Sequence, residues 1–373
     1  MYLISRFIGI FIYVIVLLIF FLLTYRINRK DLGKLLFIYT IILSIMAYKF
    51  IPAPGNDLYR LFDAMHYYAG QDFNGFISSI KESSTPAQVT YFYIIGKLKI
   101  DGLLAGITTF IFYSNIFYIL KKFANRYSIS SKNTALALLF FMATGSYMEV
   151  ISGIRTMLGF SIVAVCFYKE IIEGKSIFKN ALWYIIAMFM HSAALAAIII
   201  RIVFLVMENS KSSYKKLKLF IVMIISIVLI LKFGNRYIVS MSEKIVEYIT
   251  IQDGYSYFWE YIIGIIDILA IVFIQVSLYK TVNKNNEFVE VRNFYKFSNF
   301  VSIIVIISLF IEYNTFHRFV IFDSILISPI LMFLLNSKVK NNKVIYNIIF
   351  AISIFMLCIA CSRGNLCSLK FFI

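Results

Sequence analysis

Two strings in this chain carry side chains that membrane helices rarely hold idle. The first is Ile151-Ser-Gly-Ile-Arg-Thr-Met-Leu-Gly159, with Arg155 at the start of an apolar run. The second is Ala187-Met-Phe-Met-His-Ser-Ala193, with His191 inside another run. A charge at such a depth is costly and marks either function or a specific partner. Arginine offers a planar two-donor fork for a phosphate or a carboxylate. The competing account is a guanidinium that snorkels to lipid headgroups. Imidazole can take a proton from a hydroxyl, or it can simply hold a helix break together. Asp267 and Asp323 also lie inside apolar runs. They raise an ion-coupled transporter, against a structural pairing of Asp323 with Arg318 or with another helix. Glu149, six residues before Arg155, is placed to orient it.

The motifs of soluble enzymes are missing. There is no phosphate-binding GxxxxGK[ST], no GxGxxG after a strand and no HExxH. Cys358 and Cys361 have CxxC spacing, but no second pair and no nearby His accompanies them. With Cys166 and Cys367 they read as small hydrophobes rather than a metal or redox site. No metal and no cofactor is expected.

Such side chains need elements to hold them, and composition says which. Of 373 residues, 61% are hydrophobic and 15% charged, with a mean hydropathy of +0.84. A soluble domain is about 45–50% apolar and about 25% charged. That excludes a water-soluble globule, a disordered chain and a disulfide-stapled module. The net charge of +17 would suggest nucleic acid in a soluble protein. In a membrane protein Lys and Arg collect in short cytoplasmic linkers instead, so no nucleic-acid partner is expected.

Apolar runs fall at about 3–24, 35–51, 102–120, 134–150, 156–173, 181–207, 219–233, 258–279, 297–311, 319–335 and 344–361. The first is long enough to span and lacks a cleavage site, so it reads as a retained anchor. All are read as helices, because open strands cannot satisfy their backbone in lipid. The fold class is all-α. It is a polytopic integral membrane bundle of about 11–12 transmembrane helices, one domain over residues 1–373. Basic linkers after runs 1, 3, 5, 6, 8 and 10, for example Lys34, Lys132, Lys179, Lys216 and Lys340, are assigned to the cytoplasm. The loops at 52–101 and 234–257, the latter with Arg236 and Lys244, then lie outside and carry short interfacial helices. Their aromatics read chiefly as an interfacial belt, with carbohydrate stacking as the minority alternative. Run 181–207 is flanked by two linkers that both demand the cytoplasm. Two short passes, about 181–191 and 192–207, restore the parity and put His191 at the break.

Ser152-Gly-Ile-Arg155, the helix after it, and His191-Ser-Ala193 resemble the central signature of the EpsG family, which belongs with the Wzy-type polymerases of bacterial surface polysaccharides. Asp57-Leu-Tyr-Arg60, with Phe62 and Tyr67, resembles the family's aspartate-tyrosine segment. His317-Arg318 and the apolar run to Pro329 resemble its late arginine-led helix. Thr156 stands where many relatives carry Gln. The ordered set covers most of the chain.

The resemblance implies a membrane glycosyltransferase in the bacterial cytoplasmic (inner) membrane. Its partners would be an undecaprenyl-pyrophosphate-linked oligosaccharide, membrane lipids and a chain-length regulator protein. The product would be O-antigen of lipopolysaccharide, capsule or exopolysaccharide. On that reading Arg155 and Arg318 hold the pyrophosphate, with Arg60 third. His191, Asp57 and His317 are the candidate bases, and His66 is solvated. The alternatives are an O-antigen ligase-like transferase and a lipid-linked oligosaccharide flippase or other transporter.

Overall fold

A backbone in lipid must satisfy its own hydrogen bonds, and the apolar runs do so as helices. The computed structural model describes residues 2–52, 56–208, 258–284, 288–310, 313–337 and 342–362. The expected pass at 219–233, the loop at 234–257, Lys216, Lys340 and Cys367 lie outside the described residues.

Fifteen α-helices and no strand occur among the described residues. In chain order they are α1 (Tyr2–Arg26), α2 (Leu32–Tyr48), α3 (Asp57–Gly70), α4 (Phe73–Glu82), α5 (Pro86–Gly96), α6 (Gly102–Arg126), α7 (Ser131–Thr144), α8 (Tyr147–Ser152), α9 (Ile154–Ile171), α10 (Ala181–Met190), α11 (Ser192–Glu208), α12 (Phe258–Lys284), α13 (Val289–Leu309), α14 (Tyr313–Asn336) and α15 (Asn342–Ser362). Helices α1, α6, α12, α14 and α15 are each long and apolar enough to cross a bilayer. The protein is an all-α, multi-pass membrane bundle.

Burial sorts the helices into a centre and a rim. In α7 every residue from Thr134 to Ala143 is buried, and the apolar window of α14 is 94% buried against 22% for α15. Helices α7 and α14 are therefore the core, and the exposed Leu, Ile and Phe of α1 and α15 form an apolar rim. Segment 52–101 folds into α3, α4 and α5. Asn56 caps α3 by accepting from the Leu58 amide, Asp72 caps α4 by accepting from the Gly75 amide, and Pro86 opens α5.

The basic linkers converge on one end of the bundle. Arg126, closing α6, pairs with Glu290 of α13 at 3.2 Å. Lys132 of α7 lies over the rings of Tyr25 in α1 and Tyr346 in α15. Asn133 donates to the Leu335 carbonyl at the close of α14. At the opposite end Tyr147 of α8 donates to the Leu43 carbonyl of α2.

Run 181–207 breaks at His191. The residue leaves helical geometry, with φ −163° and ψ 145°. Near this break both Ala187 and Ala194 face Gly159, where an added Cβ would lie 2.8 Å from the Ala194 Cβ and 3.4 Å from the Ala187 carbonyl oxygen. Glycine permits that approach because it has no Cβ. Toward the basic end, Asn180 and Tyr184 donate to one oxygen of Glu170. Arg201 of α11 meets the other at 3.6 Å. The chain therefore travels away from the basic end in α10 and returns to it in α11. Sequence reading passed over Arg201. It is buried, and its guanidinium lies 5.1 Å from the centre of the Phe297 ring.

Candidate functional site

Short helices set the depth of the site. Helix α7 has 14 residues, about 21 Å at 1.5 Å per residue. The hydrocarbon core is about 30 Å thick. The α8–α9 elbow that follows lies at the end opposite the basic linkers, less than one hydrocarbon thickness from the start of α7. Ser146 caps α8 by accepting from the Glu149 amide, and Gly153 separates α8 from α9. The elbow sends Glu149 and Arg155 to two different polar clusters.

The first cluster joins α5, α9 and the hairpin break. Arg155 donates to the Gln88 side-chain oxygen at 3.4 Å, and Gln88 also accepts from Thr85 at 3.0 Å. Gln88 is buried and Arg155 half-buried. Tyr68 of α3 sits within the field of this cation. Burial raises its phenol, Tyr67 adds to that, and the Arg155 charge opposes both. Next in the chain, Thr156 lies 3.4 Å from His191 Nδ1. The Ala193 amide donates to that same Nδ1 at 3.2 Å. An Nδ1 that accepts a backbone N–H cannot carry a proton, so the neutral ring carries it on Nε2. In this arrangement His191 caps α11.

The second cluster joins α8 and α14. His317 Nε2 lies 3.6 Å from the Glu149 carboxylate, and the His317 ring is parallel to that of Tyr313 one turn earlier. Glu149 thus faces the His317 imidazole and lies within the field of the Arg318 guanidinium. His317 and Asp267 share a cleft of about 40 Å³ with Thr144 and Ser146.

Arg155 and His191 are brought to neighbouring positions on α9 and the hairpin, and His317 meets Glu149 across the elbow, with the Arg318 charge acting on the same carboxylate. Asp57 and Arg60 pair with each other on the exposed first turn of α3 instead of joining either cluster. One expectation needs correction. Glu149 engages His317 and not Arg155. Of the two pairings expected for Asp323, the structure has the one with another helix: it accepts from Ser302 of α13 at 2.8 Å, while Arg318, five residues away, does not share its helix face. His66 is exposed, as expected, and contacts Asp101 at 2.6 Å. Gln88 was missed, since nothing local marks a glutamine 67 residues away as the partner of Arg155.

Together these features define a multi-pass membrane protein with a site of cations, imidazoles and a carboxylate. The model of the EpsG family matches residues 92–369, and the chain belongs to that family. This is a family of polysaccharide-polymerase-type membrane proteins. Asp57, Arg60 and Gln88 lie before the matched span. Comparison with curated proteins and with solved structures gave no match.

Proposed function

We propose that this protein is a polysaccharide polymerase. It transfers a glycan from undecaprenyl pyrophosphate onto a new lipid-linked repeat unit at the outer face of the bacterial cytoplasmic membrane. The orientation is supported by the gathering of basic linkers at one end, which the positive-inside rule assigns to the cytoplasm. The observation that carries the proposal is Arg155, fixed by Gln88 beside His191, in a chain of this family.

In the reaction an acceptor hydroxyl oxygen bonds to the anomeric carbon of the donor glycan, and the bond from that carbon to the pyrophosphate oxygen breaks. Negative charge develops on the departing pyrophosphate. A fixed guanidinium in a dry site stabilises it without reorganising at the moment of reaction. Arg155 fills that role, with Arg318 across the elbow. His191, with its proton on Nε2, donates to substrate oxygen. The acceptor's proton goes to His317, whose Nε2 faces Glu149. A carboxylate on one ring nitrogen orients the imidazole and stabilises the imidazolium that forms. Asp57 is tied to Arg60 and is the weaker choice of base. Partners on this reading are the lipid-linked oligosaccharide and a chain-length regulator protein.

Deleting the gene and resolving the surface polysaccharide on a gel tests the proposal. A polymerase mutant shows single-unit material in place of a ladder. Loss of all surface-attached units indicates a ligase, and units trapped inside the cell indicate a transporter.

A further inference from the structure

One cavity among the described residues is chiefly apolar. It is a groove of about 650 Å³ between α5, α6, α9 and α10, lined almost wholly by apolar side chains. Along α9 it runs from Leu158 to Lys169, about 16 Å. Ile162 on α9 and Trp183 on α10 line it. Ala87, Leu158 and Met190 line it too. Each adjoins a residue of the first polar cluster. Ala87 precedes Gln88, Leu158 lies one turn from Arg155, and Met190 precedes His191.

A ligand lying in this groove would have an apolar body and an anionic head at Arg155. We propose that the groove holds the proximal prenyl units of the lipid carrier, with the pyrophosphate seated at Arg155 and Gln88. The choice of a prenyl chain rests on the polymerase reading above. Charge complementarity favours it: the chiefly apolar lining includes Ala87 and Leu158, which adjoin in sequence the Arg155–Gln88 pair that would face an anionic head. Because a chain leaving lipid gains no hydrophobic energy, recognition depends on dispersion contacts with the walls. The groove thus positions the chain more than it captures it, and so sets where the anomeric carbon comes to rest.

The test uses the full chain in lipid nanodiscs and a polyprenyl pyrophosphate bearing a diazirine in the prenyl units next to the pyrophosphate. Crosslinks should map to α9 and α10, at Ile162, Trp183 and Met190. Half-saturation should improve as the probe's prenyl chain is lengthened. Ile162→Trp fills the groove from α9, and Thr90→Trp fills it from α5. Each should abolish the chain-length dependence and weaken the long probe by about tenfold, the scale of forfeiting roughly ten carbon–carbon contacts. Two variants on different helices guard against one that fails to fold. The inference is overturned by crosslinks that map elsewhere, or by both variants keeping the chain-length dependence. It also fails if a photoreactive phospholipid labels the groove and polyprenyl pyrophosphate does not displace it. Engineered cysteine pairs that crosslink Ile162 to the 219–233 run, showing the groove filled by the chain itself, overturn it too. Failure of the polymerase reading looks different. Wild-type protein would then extend no glycan while the prenyl probe still labels α9.

Discussion

Replacing Gly159 with alanine probes the contact that seats the α10–α11 hairpin. The new Cβ would lie 2.8 Å from the Ala194 Cβ, inside van der Waals contact, and 3.4 Å from the Ala187 carbonyl oxygen, which is ordinary contact. Overpacking of this kind costs about 1–3 kcal/mol. Alanine in a helix gains about 1 kcal/mol over glycine. The single variant should therefore range from neutral to about 2 kcal/mol destabilised. In an Ala194→Gly background the clash disappears and only the helix gain remains. The same Gly159→Ala change should then stabilise by about 1 kcal/mol. The two changes are thus coupled by about 1–3 kcal/mol, well above the ~0.5 kcal/mol scatter of independent sites. Unfolding of the four proteins of the cycle in detergent measures this. Glycan extension by the same four proteins should follow it, because displacing the hairpin separates His191 from Thr156. Additive effects within ~0.5 kcal/mol would refute the packing of α10 and α11 on Gly159.

Arg201→Leu strands the buried Glu170 carboxylate and should destabilise by about 3–5 kcal/mol. Adding Glu170→Gln should recover most of that loss in the same unfolding assay, and failure to recover would show that Arg201 acts through Phe297 instead. His191→Asn retains a side-chain acceptor for the Ala193 amide and should preserve protein levels, whereas His191→Ala should lose about 1 kcal/mol of capping. Equal stability of the two would remove the capping role. Cysteines introduced at Lys81 and Lys179 should react with impermeant reagents from opposite sides of the membrane, Lys81 from outside. The reverse pattern would invert the proposed orientation.

The spans were legible in the sequence because hydropathy is a local property. The hairpin was legible too, because two basic linkers on one side demand an even number of crossings, and the break falls at His191. The polar clusters were legible only in part. Arg155 and His191 announce themselves as misfits in apolar runs. Gln88, the Glu149–His317 contact and the Arg201–Glu170 contact do not, because each joins helices distant in sequence and exists only once the bundle packs. Asp57 and Arg60 stand at the i,i+3 spacing of an exposed helical ion pair, and they pair with each other in that way.

The most direct test of the central claim is extension of a purified lipid-linked repeat unit by purified protein, with wild type, Arg155→Ala and Arg155→Lys compared per folded molecule. Wild type should build a ladder. Arg155→Ala should lose about 10²–10³-fold, the usual cost of removing one fixed transition-state donor. Arg155→Lys should recover little, because an ammonium lacks the planar fork. Full activity in Arg155→Lys, or no ladder from the wild-type protein, would contradict the account.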